Sequence, residues 1–298
     1  MKISHLWFST LVAGFLILRG LALAEEQAEH TAGLFSRPVL IGASVSAGFT
    51  KSELFGGKKT AAYQLKHYLD AAILSDHEPT EAFGGALFFM SPEKTGGTCV
   101  EKALAKNPTL VVAIDFLFWC CYGEGMTPEQ RVAMFEKRLT LLEKLDAPMV
   151  VGDLPYAAAA VDRMLSKEQL PPREIVDQCN KRLREWSTAR KNVAVLDLSG
   201  FMAAAVANRS LKVRDHVWAE GSSRALLQGD LLHPSHHGCV ALAALVLEAV
   251  LKSSPAVSPD CACWDLQKVY TVALASAQSE FAAQPKQPKQ SEAKTTTE

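Results

Sequence analysis

The sequence has 298 residues, of which 48% are hydrophobic and 21% are charged, a composition typical of a folded globular protein and not of a disordered or fibrous chain. A chain of this length can bury enough apolar surface to fold without disulfides or a structural metal. The formal net charge is -1, from 31 basic and 32 acidic residues, so the chain lacks the excess of basic residues typical of nucleic-acid-binding proteins. We therefore expect no nucleic-acid partner.

The N-terminal segment has the pattern of a secretory signal peptide. Lys2 precedes an uncharged, mostly apolar run over residues 6–18, and the small residues Ala22 and Ala24 stand at the two positions that a signal peptidase reads. The run is shorter than the ~20 residues of a spanning helix, so a retained membrane anchor is the less favoured alternative. These features predict cleavage after Ala24 and a secreted or periplasmic protein that is not integral to the membrane.

All seven cysteines follow the predicted cleavage site: Cys99, Cys120, Cys121, Cys179, Cys239, Cys261 and Cys263. An oxidising compartment would permit disulfides, and the odd number leaves at least one thiol free. The adjacent pair Cys120 and Cys121 follows an apolar run and lacks the spacing of a zinc ribbon. We expect several of the cysteines to be buried thiols, and the pairing stays open.

Short apolar runs alternate with longer segments of helical periodicity. The runs that predict buried strands cover residues 38–42, 110–114, 149–151 and 193–196. Apolar residues at helical spacing predict helices over about 62–73, 128–142, 175–186 and 237–251. Thr127 and Gln130 have the form of a capping box, with Pro128 at the first helical position. This alternation predicts an α/β fold, a three-layer α/β/α sandwich around a mainly parallel sheet.

The composition also suggests where the folded domain begins and ends. Residues 25–37 form a polar lead-in after the signal peptide, and residues 38–277 contain the predicted strands and helices. The last stretch, 278–298, is rich in Gln, Pro, Lys, Ser and Thr, which bury too little apolar surface to offset the entropy of ordering the chain. We predict a domain over 38–277 followed by a disordered tail.

A small-residue turn with a serine follows the first predicted strand. It reads Gly42-Ala43-Ser44-Val45-Ser46-Ala47-Gly48. Ligand sites in open parallel sheets form at the carboxyl ends of the strands, and small neighbours leave the hydroxyl and the backbone N–H of Ser44 open to a carbonyl. A serine that only caps a helix is the equally weighted alternative.

A histidine and an aspartate stand just before the last predicted helix, in the segment Asp230-Leu231-Leu232-His233-Pro234. A serine needs a nearby base to become a nucleophile, and imidazole held by a carboxylate supplies one. The Asp-x-x-His spacing puts both groups on one turn. An aspartate that only caps that turn is the alternative.

Together, Gly42-x-Ser44-x-x-x-Gly48 and Asp230-x-x-His233-Pro234 resemble the motifs of the SGNH (GDSL-type) hydrolase family. The resemblance extends in element order from about Pro38 to Leu251 and implies a flavodoxin-like sheet. It implies Ser44 as nucleophile, His233 as general base and Asp230 as the residue that orients His233. Members of the family cleave lipid, acyl and acetylated-sugar esters and need no metal, so we expect no cofactor.

Two points of comparison with the family pattern concern the residue before the serine and the backbone donors of the oxyanion hole. The family usually has aspartate before the serine, where this chain has Ala43. The resemblance implies an oxyanion hole formed by the backbone N–H groups of Ser44 and of a glycine, for which Gly96 is the first candidate. Gly97 and Gly85 are the alternatives.

A further departure affects the oxyanion hole directly. After the strand that corresponds to residues 110–114, the family carries a Gly-x-Asn-Asp turn, and the asparagine amide of that turn completes the oxyanion hole. Residues 114–119 of this chain contain no asparagine. Loss of one such donor costs on the order of a hundred- to a thousandfold in turnover. The Trp119 indole N–H is a candidate substitute, although packing under a loop is the more favoured interpretation. Asp115 is expected to line the site in a structural or substrate-hydroxyl role, because its charge would repel an oxyanion.

Other polar residues are weaker candidates. Asp153 follows the third predicted strand and either lines the site or caps a loop. His236, His237 and Cys239 lie near Asp230 and His233, and His233 and His237 are spaced as zinc ligands on a helix. Because Pro234 puts His233 ahead of the helix, we predict no metal site.

The sequence therefore predicts an exported SGNH-like serine hydrolase that cleaves a small-molecule, lipid or glycan ester through an acyl-enzyme. The ester is an acyl ester or an acetylated carbohydrate. The alternative is a catalytically impaired binding or scaffold protein of the cell envelope that keeps the fold but has lost the asparagine of the Gly-x-Asn-Asp turn.

Overall fold

A computed structural model of the chain describes residues 33–50 and 63–283. Five strands form one sheet in the order β2-β1-β3-β4-β5, and every neighbouring pair is parallel. The strands are β1 (Pro38–Gly42), β2 (Glu81–Gly84), β3 (Leu110–Ala113), β4 (Met149–Gly152) and β5 (Val193–Leu196). This is the flavodoxin-like order, in which β2 lies on one side of β1 and the later strands β3, β4 and β5 follow on its other side. The predicted α/β class and parallel sheet are confirmed.

Nine α-helices that lie wholly within the described ranges connect and cover the strands. They are α1 (Ser44–Ala47), α2 (Leu65–Ala72), α3 (Pro92–Ala105), α4 (Phe118–Cys121), α5 (Pro128–Leu142), α6 (Arg173–Thr188), α7 (Leu198–Val206), α8 (His236–Ser253) and α9 (Leu266–Ala283). Helices α3, α5 and α6 pack side by side as one group, and α2, α8 and α9 form a second group. Every residue of β1, β3 and β4 is buried, so both faces of the sheet are covered.

Local sequence signals fix the starts of the helices that frame the site. The Thr127 hydroxyl accepts the Gln130 N–H and the Gln130 side chain accepts the Thr127 N–H, which is the predicted capping box of α5. The Ser235 hydroxyl accepts the Gly238 N–H at the start of α8. Because Ser235 caps that helix, His233 lies in the preceding turn and not on the helix itself.

The folded region is longer than the predicted range of 38–277 at both ends. Leu34 and Phe35 lie in the core, although they were placed in a polar lead-in. Helix α9 continues to Ala283 and packs on α2, so residues 278–283 are helical and not part of a disordered tail. Strand β2 and a small antiparallel hairpin, β6 (Leu211–Val213) with β7 (His216–Trp218), were also not predicted. The predicted signal peptide, 1–24, and the tail beyond 283 lie outside the described residues.

All seven cysteines are buried, and none is joined to another by a disulfide in the described structure, which contains all of them. The expectation of buried thiols is thus confirmed. One described helix, α8, is long and apolar enough to span a membrane by length and composition alone, and 56% of it is buried inside the protein, as is common for a core helix.

Candidate active site

The structure brings Ser44, His233 and Asp230 into one chain of hydrogen bonds. Ser44 is the first residue of α1, directly after β1, and its Oγ lies 2.8 Å from His233 Nε2. The other ring nitrogen, Nδ1, lies 2.8 Å from Asp230 Oδ2. All three residues are buried. Residues that are 189 positions apart in sequence therefore meet in the geometry of a nucleophile, a base and an orienting carboxylate.

The turn that carries Asp230 is built around its carboxylate. Asp230 Oδ1 accepts the backbone N–H groups of Leu232 and His233, each at 3.0 Å, and Leu231 between them has a φ of +61°. Burial raises the pKa of Asp230, but the hydrogen bonds and charge of His233 outweigh it, so the net shift of the pKa is downward. An ionised Asp230 accepts a hydrogen bond from the N–H at Nδ1 of His233. The lone pair on Nε2 is then left to accept a hydrogen bond from the Ser44 hydroxyl.

Two residues that sequence reasoning missed hold His233 in place. The Phe49 ring packs on the imidazole, with ring centres 4.4 Å apart. The Gln228 side chain donates to the carbonyl oxygens of Phe49 at 2.7 Å and of Pro234 at 2.9 Å. Gln228 thus ties the segment after α1 to the His233 turn. Neither residue type signals such a role, since it depends on two distant segments meeting.

Asp115 joins the end of β3 to the turn that carries Ser44. Its Oδ2 accepts the N–H groups of Val45 at 2.8 Å and Ser46 at 3.2 Å, and its Oδ1 accepts the Ser46 hydroxyl at 2.5 Å. Burial raises the pKa of Asp115, although these hydrogen bonds act in the opposite direction. Asp115 lines a cavity with Ser44, as predicted, and its contacts fit the structural role.

Gly42 makes room for this carboxylate. A Cβ atom at position 42 would lie 2.0 Å from Asp115 Oδ1 and 2.3 Å from Ser46 Oγ, closer than any van der Waals contact allows. The first glycine of the motif is therefore required by the side chains of Asp115 and Ser46.

Gly96 does not lie where the oxyanion prediction placed it. It is an interior residue of α3, and a Cβ there would overlap the Arg138 guanidinium, which shows that Gly96 serves helix packing. Its N–H lies within the ladder of helical hydrogen bonds and not ahead of a helix. The alternative Gly85 is better placed, since it directly follows β2, and Ala86 lines a cavity with Ser44 and His233.

Two cavities open at Ser44, and Trp119 lines both of them. The Trp119 side chain stands edge-on to Phe118, with ring centres 5.2 Å apart, and its ring centre lies 5.5 Å from that of Phe89. Only 8% of Trp119 is exposed, and its indole N–H finds no hydrogen-bond acceptor among the described residues. Trp119 thus lies at the site, as a substitute donor of the oxyanion hole would have to.

Asp153 is elsewhere. Its two carboxylate oxygens accept the N–H and the hydroxyl of Ser199, each at 2.7 Å, which links the end of β4 to the first turn of α7. Burial raises the pKa of Asp153 despite these hydrogen bonds. Asp153 lines neither cavity at Ser44, so its assignment as a site-lining residue is corrected to the alternative, a cap.

The histidines near α8 do not converge on one point. His236 Nδ1 bonds the Tyr68 hydroxyl at 3.0 Å, and the His237 ring stacks on Tyr270 with centres 4.7 Å apart. His233 faces Ser44 instead. Within 33–50 and 63–283, no three or more His, Cys, Asp or Glu side chains are grouped so that they could hold a metal ion.

Comparison with known proteins gives matches among solved structures only. No protein-family model matches the sequence. No curated protein sequence matches it either. A lipase/acylhydrolase from Enterococcus faecalis superposes with a TM-score of 0.50 and 19% identity, over 72% of this chain and 95% of that chain.

Two further solved structures are similar at lower TM-scores. A GDSL-like lipase from Bacteroides thetaiotaomicron has a TM-score of 0.46 and 13% identity, over 73% of this chain and 89% of its own. An acetylxylan esterase from Geobacillus stearothermophilus has a TM-score of 0.45 and 13% identity, over 76% and 99%. Identities this low bear on the fold and not on the activity. By its sheet order and its likeness to the Enterococcus faecalis structure, the chain has the fold of the SGNH (GDSL-type) hydrolases.

Proposed function

We propose that this protein is a serine hydrolase of esters. The observation that carries the proposal is the unbroken hydrogen-bond chain from Ser44 through His233 to Asp230. Ser44 Oγ attacks the ester carbonyl carbon while its proton passes to His233 Nε2. The tetrahedral intermediate then expels the alcohol, which takes that proton, and leaves Ser44 acylated. Water attacks the acyl-enzyme with His233 again as base, which releases the acid and restores Ser44.

Backbone N–H groups supply part of the stabilisation of the oxyanion. Ser44 begins α1, and the first N–H of a helix has no acceptor within the helix, so it is available to a substrate oxygen. Gly85, at the carboxyl end of β2, replaces Gly96 as the second backbone donor in this proposal. Asp115 does not donate, because its oxygens accept from the Ser44 turn.

The lining of one of the two cavities at Ser44, an apolar cleft, favours an acyl ester over an acetylated carbohydrate. Apart from Ser44, Asp115 and the indole N–H of Trp119, the groups that line it are apolar. They include Val45, Phe118, Leu198, Phe201, Met202 and Leu242. Such a surface gains free energy by excluding water from hydrocarbon and offers few partners for sugar hydroxyls. We assign this cleft to the acyl part of the ester.

The rim of the second cavity is also apolar. Leu87 and two residues of the short 3₁₀ turn that follows it, Phe89 and Met90, are exposed by 57%, 41% and 68%, and Phe89 lines the cavity next to Ser44 and His233. Large apolar side chains exposed together at the mouth of a site are typical of surfaces that meet apolar ligands. This rim supports a lipid-like or other apolar ester as the substrate.

A direct assay tests the proposal. Purified protein should hydrolyse p-nitrophenyl butyrate, and Ser44→Ala and His233→Ala should each abolish that activity while circular dichroism shows an intact fold. Ser199→Ala is the matched control, because its hydroxyl bonds Asp153 and not the triad, and it should keep full activity. Activity that persists in Ser44→Ala would overturn the proposal. A folded wild type without activity on esters of any chain length would favour the binding or scaffold alternative.

We also propose that the protein is exported, on the ground of the N-terminal pattern of Lys2, the apolar run and Ala22–Ala24. Export predicts a mature protein that begins at Glu25. N-terminal sequencing of protein from the medium or periplasm tests this, and an intact N-terminus on cytosolic protein would contradict it.

A further inference from the structure

The chain lacks a side-chain amide where β3 ends, at the edge of the sheet that also carries Ser44. Strands β1 and β3 are neighbours, with Leu40 opposite Val112, so the segments that follow them emerge side by side. Between the end of β3 and α4, the only polar side chain is that of Asp115, which is an acceptor. An oxyanion at Ser44 would therefore gain no side-chain donor from the residues before α4.

Trp119, the second residue of α4, carries a donor that no described residue uses. Its indole N–H is buried and has no acceptor in the described part of the chain. Two other indoles are paired: Trp186 donates to Glu143 at 2.9 Å and Trp264 donates to the Pro259 carbonyl at 3.1 Å. A buried N–H left unpaired costs about 1–3 kcal/mol. The buried indole N–H of Trp119 is thus available to a partner that arrives with the substrate.

The position of Trp119 fits such a partner. It lines both cavities that open at Ser44, and it is the only described residue besides Ser44 and Leu232 to do so. The rings of Phe118 and Phe89 pack against it, which restrains the indole plane. An indole N–H donates and cannot accept, so it suits an atom that gains negative charge.

We propose that the Trp119 indole N–H is a donor of the oxyanion hole, in place of a side-chain amide. The inference rests on the proposed function, since it needs Ser44 to form a tetrahedral intermediate. The N–H bonds the carbonyl oxygen as that oxygen becomes an oxyanion, and no proton is transferred. This hydrogen bond strengthens as the oxygen gains negative charge, so it stabilises the transition state more than the bound ester and accelerates the chemical step.

Substitution of the indole tests this donor. Trp119→Phe should lower kcat on p-nitrophenyl butyrate on the order of a hundred- to a thousandfold with little change in KM. Replacement of Trp119 by benzothienylalanine, which keeps the shape of the ring and has sulfur in place of N–H, should lower kcat to the same extent. Trp186→Phe is the matched control and should keep kcat. A benzothienylalanine variant with wild-type kcat would overturn the inference while the proposed function stands.

Nuclear magnetic resonance gives a readout besides activity. In protein labelled with ¹⁵N on its indoles, reaction of Ser44 with an alkyl fluorophosphonate should shift the Trp119 indole proton downfield and slow its exchange with water. The spectrum of Trp119→Phe assigns the resonance. An unchanged Trp119 resonance in a fully formed adduct would overturn the inference alone. Failure of the wild type both to hydrolyse esters and to form the adduct would overturn it together with the proposed function.

Discussion

Removal of the Asp115 carboxylate is the perturbation whose effect the structure defines most closely. The carboxylate accepts the N–H groups of Val45 and Ser46 and the Ser46 hydroxyl. In Asp115→Ala these groups lose their acceptor in a site too buried for water to replace it fully. Each unpaired buried donor costs about 1–3 kcal/mol. Three such donors amount to about 3–9 kcal/mol, and removal of the buried carboxylate, whose burial raises its pKa, offsets part of this cost. We therefore expect Asp115→Ala to lower the free energy of unfolding by about 2–5 kcal/mol.

Asp115→Asn separates this hydrogen-bonding role from the charge. The amide oxygen can accept the two backbone N–H groups, and the amide nitrogen can donate to Ser46 Oγ, so the expected loss of stability is only about 1 kcal/mol. The same substitution should preserve ester hydrolysis, whereas Asp115→Ala should lower kcat at least a hundredfold, because a displacement of Ser44 by about 1 Å has that effect.

Chemical denaturation and steady-state kinetics on both variants test this reasoning. The expected result is a stability that falls from wild type to Asn to Ala, with a kcat of the Asn variant close to that of the wild type and a kcat of the Ala variant at least a hundredfold lower. If Asp115→Ala loses less than about 1 kcal/mol and keeps wild-type kcat, Asp115 does not hold the nucleophile turn. If Asp115→Asn is inactive but stable, the charge itself acts in catalysis, and the structural role assigned here is wrong.

Three further predictions follow from the same geometry. Gly42→Ala should lower stability by several kcal/mol in chemical denaturation, since its Cβ would overlap the carboxylate of Asp115; a variant as stable as the wild type would contradict the packing described. Among p-nitrophenyl esters, kcat/KM should rise from acetate to butyrate and hexanoate, because the cleft is apolar; a preference for acetate would refute the assignment of the cleft to the acyl chain. The hydrogen bond to Asp70 raises the pKa of His77 although burial opposes the shift. A raised folded-state pKa adds stability that is fully present below the ordinary pKa of 6.5 and is lost as the pH rises through the folded-state pKa. The difference in unfolding free energy between wild type and His77→Asn should therefore shrink from pH 5.5 to pH 8.5. A difference that grows over this range would contradict a raised pKa of His77.

Strands could be predicted from the sequence where several consecutive residues are apolar. Strands β1, β3 and β4 are continuous apolar runs and were found within a residue or two. Strand β2, Glu81–Gly84, is an edge strand with exposed residues, so its sequence carries no apolar run. Helix α9 was missed because its buried residues, Val269, Ala273 and Ala277, are small, while larger apolar residues such as Val272 and Phe281 are exposed, so no clear apolar stripe marks the buried face.

The site was predicted where its residues share a motif. Ser44, Asp230 and His233 belong to two short segments whose spacing carries the chemistry, and the structure brings them together. Gly96 was misassigned because a glycine pair next to a helix start is as consistent with close helix packing as with a backbone donor; its neighbour Arg138 decides in favour of packing. The contacts of Asp115 depend on β1 and β3 being adjacent in the sheet, which no local pattern states.

The central claim is that Ser44 is an activated nucleophile with His233 as its base. Purified protein treated with a fluorophosphonate probe, followed by peptide mass spectrometry, tests this most directly, with His233→Ala as the matched variant. The account predicts an adduct on Ser44 in the wild type and none in His233→Ala. A well-folded wild type that stays unlabelled, or an adduct on Ser44 that forms equally fast without His233, would contradict it.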